Sequence, residues 1–166
     1  MSRIAVPTEI LIIFYCRTGS AERLALAAAV GAVQARANIR LRRLRDTSAE
    51  TGSEDLARMC KEYVPPTEAD VLRADAIVFT APANFTTSSQ EWTELIQLLK
   101  RCGSEGKLDG KVATVLAETE AAQESLSLKV LQLGFITVPS NPQDPTDDGR
   151  RVAAVANALK KAESGR

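Results

Sequence analysis

Residues 16–21, Cys16-Arg17-Thr18-Gly19-Ser20-Ala21, gather a thiol, a guanidinium and two hydroxyls around a single glycine. The apolar run 9–15 before them predicts a buried strand, and the Ala- and Leu-rich stretch 20–37 after them predicts a helix. A turn in that position can wrap backbone N–H groups about an anion, and the positive end of the helix dipole adds to the attraction. The chemistry expected is phosphate binding. The stretch lacks the Gly-x-x-x-x-Gly-Lys-Ser/Thr of triphosphate loops and the Gly-x-Gly-x-x-Gly of dinucleotide folds. A mononucleotide phosphate is the better match, and an ordinary turn and helix cap is the alternative.

Two later loops stand in comparable places. Residues 81–87 carry Ala83, Asn84 and Phe85 after a proline, where an aromatic ring either meets a flat ligand or packs into the core. Residues 118–122 read Glu118-Thr119-Glu120-Ala121-Ala122 and put two carboxylates where a third loop should lie. The chain has no histidine, which removes every Ser-His-Asp and Cys-His mechanism. Its three cysteines, Cys16, Cys60 and Cys102, are widely spaced, so no metal site can be drawn. No side chain is assigned a catalytic role. Cys16 is either a reactive thiol beside Arg17 or a small residue filling a turn.

The elements that must position these loops alternate along the chain. Strands are expected at 9–15, 38–44, 76–80, 111–117 and 134–139. Helices are expected at 20–37, 54–63, 68–73, 88–102, 121–133 and 149–162, with a polar loop at 46–53, a break at Pro65-Pro66 and a frayed tail at 163–166. The arginine run Arg40, Arg42, Arg43 and Arg45 suits a solvated face of the second strand, or attraction for a phosphorylated nicotinamide. Trp92 falls on the apolar face of its helix with Leu95, Ile96 and Leu99, a core position. Five strands with helices between them make an α/β three-layer sandwich around a parallel sheet, formed as one domain over residues 1–166. In such sheets ligands sit beyond the carboxyl ends of the strands.

Composition narrows the partners. Lys plus Arg and Asp plus Glu are 21 each, so no net charge favours nucleic acid or an acidic membrane. No run approaches the roughly 18 apolar residues of a membrane span, and residues 1–8 do not read as a secretory signal. Reduced thiols in a cytoplasm are the expectation.

The segments Phe14-Tyr-Cys-Arg-Thr-Gly-Ser-Ala-Glu-Arg-Leu-Ala25, Ala81-Pro-Ala-Asn-Phe85 and Asp109-Gly-Lys-Val112 together resemble flavodoxin-like proteins. Within them, the closest likeness is to the WrbA-type NAD(P)H:quinone oxidoreductases, in order over residues 9–161. The resemblance implies a flavodoxin-like fold and FMN, with Cys16, Arg17, Thr18, Gly19, Ser20 and Ala21 around its phosphate. Ala83, Asn84 and Phe85 would then contact the isoalloxazine ring, and Glu118, Thr119 and Glu120 its other edge. It also implies NAD(P)H and a quinone as small-molecule partners, and dimers that pair into tetramers. Three departures stand out. The family's third loop is glycine-rich whereas 118–122 has no glycine, a histidine pair is replaced by Gln132-Leu133, and the pocket tryptophan has no counterpart at 102–109. These favour an alternative, a fold member that binds no flavin and acts as an interaction module. A one-electron carrier is a further alternative, against which the zero net charge argues.

Overall fold

The computed structural model describes residues 5–47 and 52–165. The expectations placed on residues 1–4, 48–51 and 166 lie outside the described residues.

The sheet consists of β1 (Glu9–Phe14), β2 (Asn38–Arg43), β3 (Ala76–Ala81), β4 (Val112–Ala117) and β5 (Ile136–Thr137), all parallel in the order β2-β1-β3-β4-β5. Every residue of β3 and β4 is buried, as a strand covered on both faces requires. The helices are α1 (Ser20–Gln34), α2 (Glu54–Glu62), α3 (Glu68–Arg73), α4 (Gln90–Cys102), α5 (Glu120–Gln132) and α6 (Pro145–Ser164). One core joins α1 and α6 to a sheet face through Ile10, Ile12, Phe14, Ala28 and Val152. The other joins α3, α4 and α5 to the opposite face through Ile13, Phe79, Trp92, Leu99 and Leu126. The expected fold class is the observed one, and Trp92 is core, 1% exposed.

Several boundaries moved for identifiable reasons. The helix expected to 37 ends at Gln34, because Arg36 turns to φ 62° and Ala37 N–H bonds back to the Ala32 carbonyl. The helix expected from 149 begins four residues earlier. Asp144 caps the Asp147 N–H at 3.1 Å, and Pro145, which has no N–H to satisfy, takes the first helical position. It also runs to Ser164, through the first half of the tail expected to fray. The strand expected at 134–139 has two paired residues. Beyond them the Gln123 side chain takes the strand's place on β4, accepting from Ala117 N–H at 2.9 Å and donating to the Val115 carbonyl at 2.6 Å.

The arginine run of β2 is not a solvated face. Asp70, on α3, binds both Arg40 and Arg42 at 2.9 Å. Arg43 is buried. Arg40 and Arg42 are half-buried, and Arg45 is exposed.

The contact between α1 and α6 is reciprocal. A Cβ on Gly31 of α1 would lie 1.8 Å from the Thr146 carbonyl oxygen, and one on Gly149 of α6 would lie 1.9 Å from the Ala28 carbonyl oxygen. Glycine at both positions lets the backbones touch. This contact sets where α1, and so the loop preceding it, stands above the sheet.

Candidate functional site

From β1 the chain turns to β2 on one side and later returns to β3 on the other, so the sheet order reverses at the β1/β3 boundary. Such a switch point leaves a crevice at the carboxyl ends of the strands. Here the crevice is a cavity of about 430 Å³. Tyr15, Cys16, Arg17, Thr18 and Ser20 line it from the loop after β1, residues 82–86 from the loop after β3, Ser89, Glu91 and Trp92 from the start of α4, and Glu118 from the end of β4.

The loop after β1 has the form expected of an anion cradle. Gly19 caps α1 in the left-handed region, φ 86°, without a side-chain cap bond. The N–H groups of Ser20, Ala21 and Glu22 therefore lack intrahelical acceptors, and among the described residues they have no other. Thr80 ties this turn to the sheet by donating its hydroxyl to the Ala21 carbonyl at 3.3 Å. Glu22 is buried in the first turn, where the helix dipole favours a carboxylate. Arg58 of α2 grips it with two bonds of 2.9 and 2.7 Å, and the Tyr63 hydroxyl donates at 2.8 Å. The Arg58 bonds hold Glu22 below the usual carboxylate range against the opposing effect of burial. Tyr63, desolvated and donating to Glu22, is pushed up to about 12.

Cys16 is 2% exposed, with its sulfur 3.9 Å from that of Met59. A buried thiol facing a thioether is a packing residue, and the reactive reading of Cys16 is corrected accordingly.

Beneath the cradle lies a polar network that the sequence did not announce. Arg43 holds Asp46 with both terminal nitrogens, at 2.9 and 3.1 Å, and donates to the Cys16 carbonyl at 3.0 Å. Its guanidinium carbon lies 5.3 Å from the centroid of the Tyr15 ring. The Tyr15 hydroxyl reaches Asp46 at 3.0 Å and Glu91 at 3.3 Å, and Glu91 accepts from the Thr47 hydroxyl at 2.6 Å. Burial pushes Asp46 up, but the Arg43 bonds and charge outweigh it and hold Asp46 low. Burial beside two carboxylates raises Tyr15 well above the ordinary phenol value.

The loop after β3 places Ala83 and Asn84 in the open, while Phe85 is half-buried and packs edge-on to Trp92, centroids 4.9 Å apart. The Ala83 N–H donates to the Glu118 carboxylate at 2.7 Å, which bridges the second and third loops. Ser89, at the cap of α4, has a buried hydroxyl with no partner beside the cavity. Of the residues singled out in the third loop, Glu118 alone lines the cavity. Thr119 caps α5 by accepting the Ala122 N–H at 3.3 Å, and Glu120 is exposed in the first turn of that helix. Gly19 and Ala21 stand behind the cavity wall and shape it. Tyr15, Arg43, Asp46, Ser89 and Glu91 were missed. The charge pair Arg43 and Asp46, three residues apart, was the available signal.

Among the described residues no group of side chains could hold a metal ion, and no helix is long and apolar enough to cross a membrane. No family model matches the chain. It is 30% identical over 139 residues to an NAD(P)H dehydrogenase (quinone) 3 of Rhizobium meliloti, covering 79% of this chain and 66% of that protein. It therefore spans about two thirds of the length of that relative. An NAD(P)H dehydrogenase (quinone) of Deinococcus radiodurans is 25% identical over 154 residues, 85% of this chain and 77% of its own. Among solved structures, a WrbA-like flavodoxin from Agrobacterium tumefaciens superposes with a TM-score of 0.58 at 20% identity, covering 93% of this chain and 98% of its own. Megasphaera elsdenii flavodoxin gives 0.64 at 16% identity, covering 87% and 98%. The strand order, the glycine-centred turn at the switch point and these comparisons agree: the chain has the flavodoxin-like fold and is similar in sequence to NAD(P)H dehydrogenases (quinone).

Proposed function

We propose that the chain binds FMN in the switch-point cavity and serves as an oxidoreductase that carries two electrons from NAD(P)H to a quinone. The observation that carries this reading is the cradle at the start of α1, three unpaired N–H groups behind a left-handed glycine. That donor set fits a phosphate. A cavity of about 430 Å³ falls in the range of about 300–1,000 Å³ usual for small-molecule sites. The partnerless Ser89 hydroxyl supports a ligand with a hydrogen-bonding edge.

In this arrangement the N–H groups of Ser20, Ala21 and Glu22 hold the phosphate, with the hydroxyls of Thr18 and Ser20 beside them. Ala83, Asn84 and Phe85 border the ring. Bound there, FMN supplies the hydride chemistry, and the protein binds and tunes it. No histidine is needed for that work. A second hollow of about 460 Å³, lined by Arg23, Leu24, Pro142 and Pro145 on the far flank of Ser20 and Glu118, leaves room for a second reactant. Leu26, Val30 and Val33 form an exposed apolar stripe along α1 and support assembly with further copies of the chain. The three free cysteines suit the cytoplasm.

The test is NAD(P)H-dependent reduction of a soluble quinone by FMN-loaded protein. Turnover that requires both FMN and the protein supports the reading, and its absence with FMN bound refutes it. The Glu118–Ala83 bond favours one second reading, a chain whose ring site is closed and which acts as an interaction module. Protein that binds no FMN would support that reading.

A further inference from the structure

Arg43 is among the most deeply buried charges of the molecule, with a side chain 4% exposed, yet it lines no part of the cavity. Taking a guanidinium out of water is costly unless its donors are satisfied. Its terminal nitrogens make two bonds to Asp46, one to the Cys16 carbonyl, and longer ones to the Leu44 carbonyl at 3.4 Å and the Cys60 sulfur at 3.9 Å. Its Nε finds no partner. A residue that bears this burial and leaves one donor idle is held for its geometry.

The geometry is specific. β2 is an edge strand, and Arg43 is its last residue, paired in register with Phe14 of β1. From there the side chain passes under the Tyr15 ring and fixes the carbonyl of Cys16, the first residue of the cradle. A peptide whose carbonyl is held in place has the N–H of the next residue, Arg17, aimed the opposite way. Asp46 clamps both terminal nitrogens in the two-pronged geometry that only arginine offers, so the guanidinium cannot swing away.

We propose that Arg43 is the positioning residue of the phosphate cradle: it acts through the Cys16 carbonyl to hold residues 17–21 ready for an anion, without touching the ligand. The inference rests on the reading of that loop as a phosphate site and goes beyond it by naming a determinant on another strand. Arg43 therefore governs how the site distinguishes phosphorylated from unphosphorylated ligand.

The test uses FMN and riboflavin, which share the ring and differ in the phosphate. Binding is read from the fluorescence of Trp92, the chain's single tryptophan, which lines the cavity. Two variants are compared with the wild type. Arg43→Lys keeps the charge and loses the fork. The double variant Arg43→Met/Asp46→Leu removes both charges together and so strands neither in the interior, an exchange that buried pairs often tolerate. The wild type is expected to prefer FMN over riboflavin by at least tenfold. Both variants are expected to lose about tenfold in FMN affinity while riboflavin affinity stays within about twofold, which also shows that they are folded. A parallel loss of both ligands, or an unchanged preference for FMN in either folded variant, overturns the proposal. A wild type that binds FMN and riboflavin equally, or neither, refutes instead the phosphate reading on which it rests.

Discussion

The Glu118 carboxylate accepts the Ala83 N–H at 2.7 Å, so the loop after β4 is tied to the loop after β3 across the top of the switch-point cavity. Any flat ligand that uses the Ala83 N–H must first displace a charged acceptor. Glu118 is exposed, so its side chain can turn out to water, and the cost of moving it is modest. Replacing it by Ala is expected to raise FMN affinity by about fivefold, on the order of 1 kcal/mol. Glu118→Gln, which keeps an acceptor and loses the charge, should give part of that gain. Titration of each variant with FMN checks this, and unchanged affinity would remove Glu118 from the site.

The glycines at the α1–α6 crossing are expected to be irreplaceable. Gly31→Ala and Gly149→Ala each drive a methyl into a backbone carbonyl oxygen at less than 2 Å. The helices must part, at about 3 kcal/mol, the upper end of ordinary overpacking. Denaturant unfolding measures the cost. Because α1 carries the cradle, FMN affinity should fall in the same variants before the fold is lost.

The end of β4 depends on a side chain. Gln123→Ala strips the Ala117 N–H of the acceptor that a longer β5 would have supplied, and leaves the Val115 carbonyl with the Ser140 hydroxyl alone. Leaving the Ala117 N–H unpaired is expected to cost about 2 kcal/mol, seen as a lower denaturant midpoint. Gln123→Glu is expected to lose stability too, since a carboxylate cannot donate to Val115.

Acid should weaken the molecule through Glu22, Asp46 and Asp70, which are all held below the ordinary carboxylate range by arginine partners. A depressed carboxylate contributes stability above its unfolded pKa and loses that contribution as the pH falls through its folded value. Stability is therefore expected to hold at neutral pH and to decline below about pH 4. Arg58→Ala takes away the largest influence that lowers Glu22, so its acid transition should move to higher pH. Unfolding midpoints measured from pH 7 down to pH 3 test the direction.

Much of this was legible in the sequence, and the rest was hidden for physical reasons. Runs with a single polar residue each announced β1, β3 and β4, because strands buried on both faces leave little room for polar residues. Gly19 between hydroxyl residues announced the cradle. The face of β2 misled, because alternating arginines read the same whether water or Asp70 and Asp46 neutralise them. Only the fold brings Asp70, 28 residues on, against Arg42. The bridge from Glu118 to Ala83 spans 35 residues and leaves no periodic trace. The Asp144-Pro145 cap was visible, but the turn-forming residues around it obscured the start of α6.

The measurement that bears most directly on the central claim is a titration of flavin-stripped protein with FMN, following Trp92 and flavin fluorescence together. Saturation at one FMN per chain, with quenching of both signals and with Gly19→Val abolishing it, is the predicted result. No quenching at high micromolar FMN, or binding that survives Gly19→Val unchanged, would contradict a phosphate cradle at the start of α1.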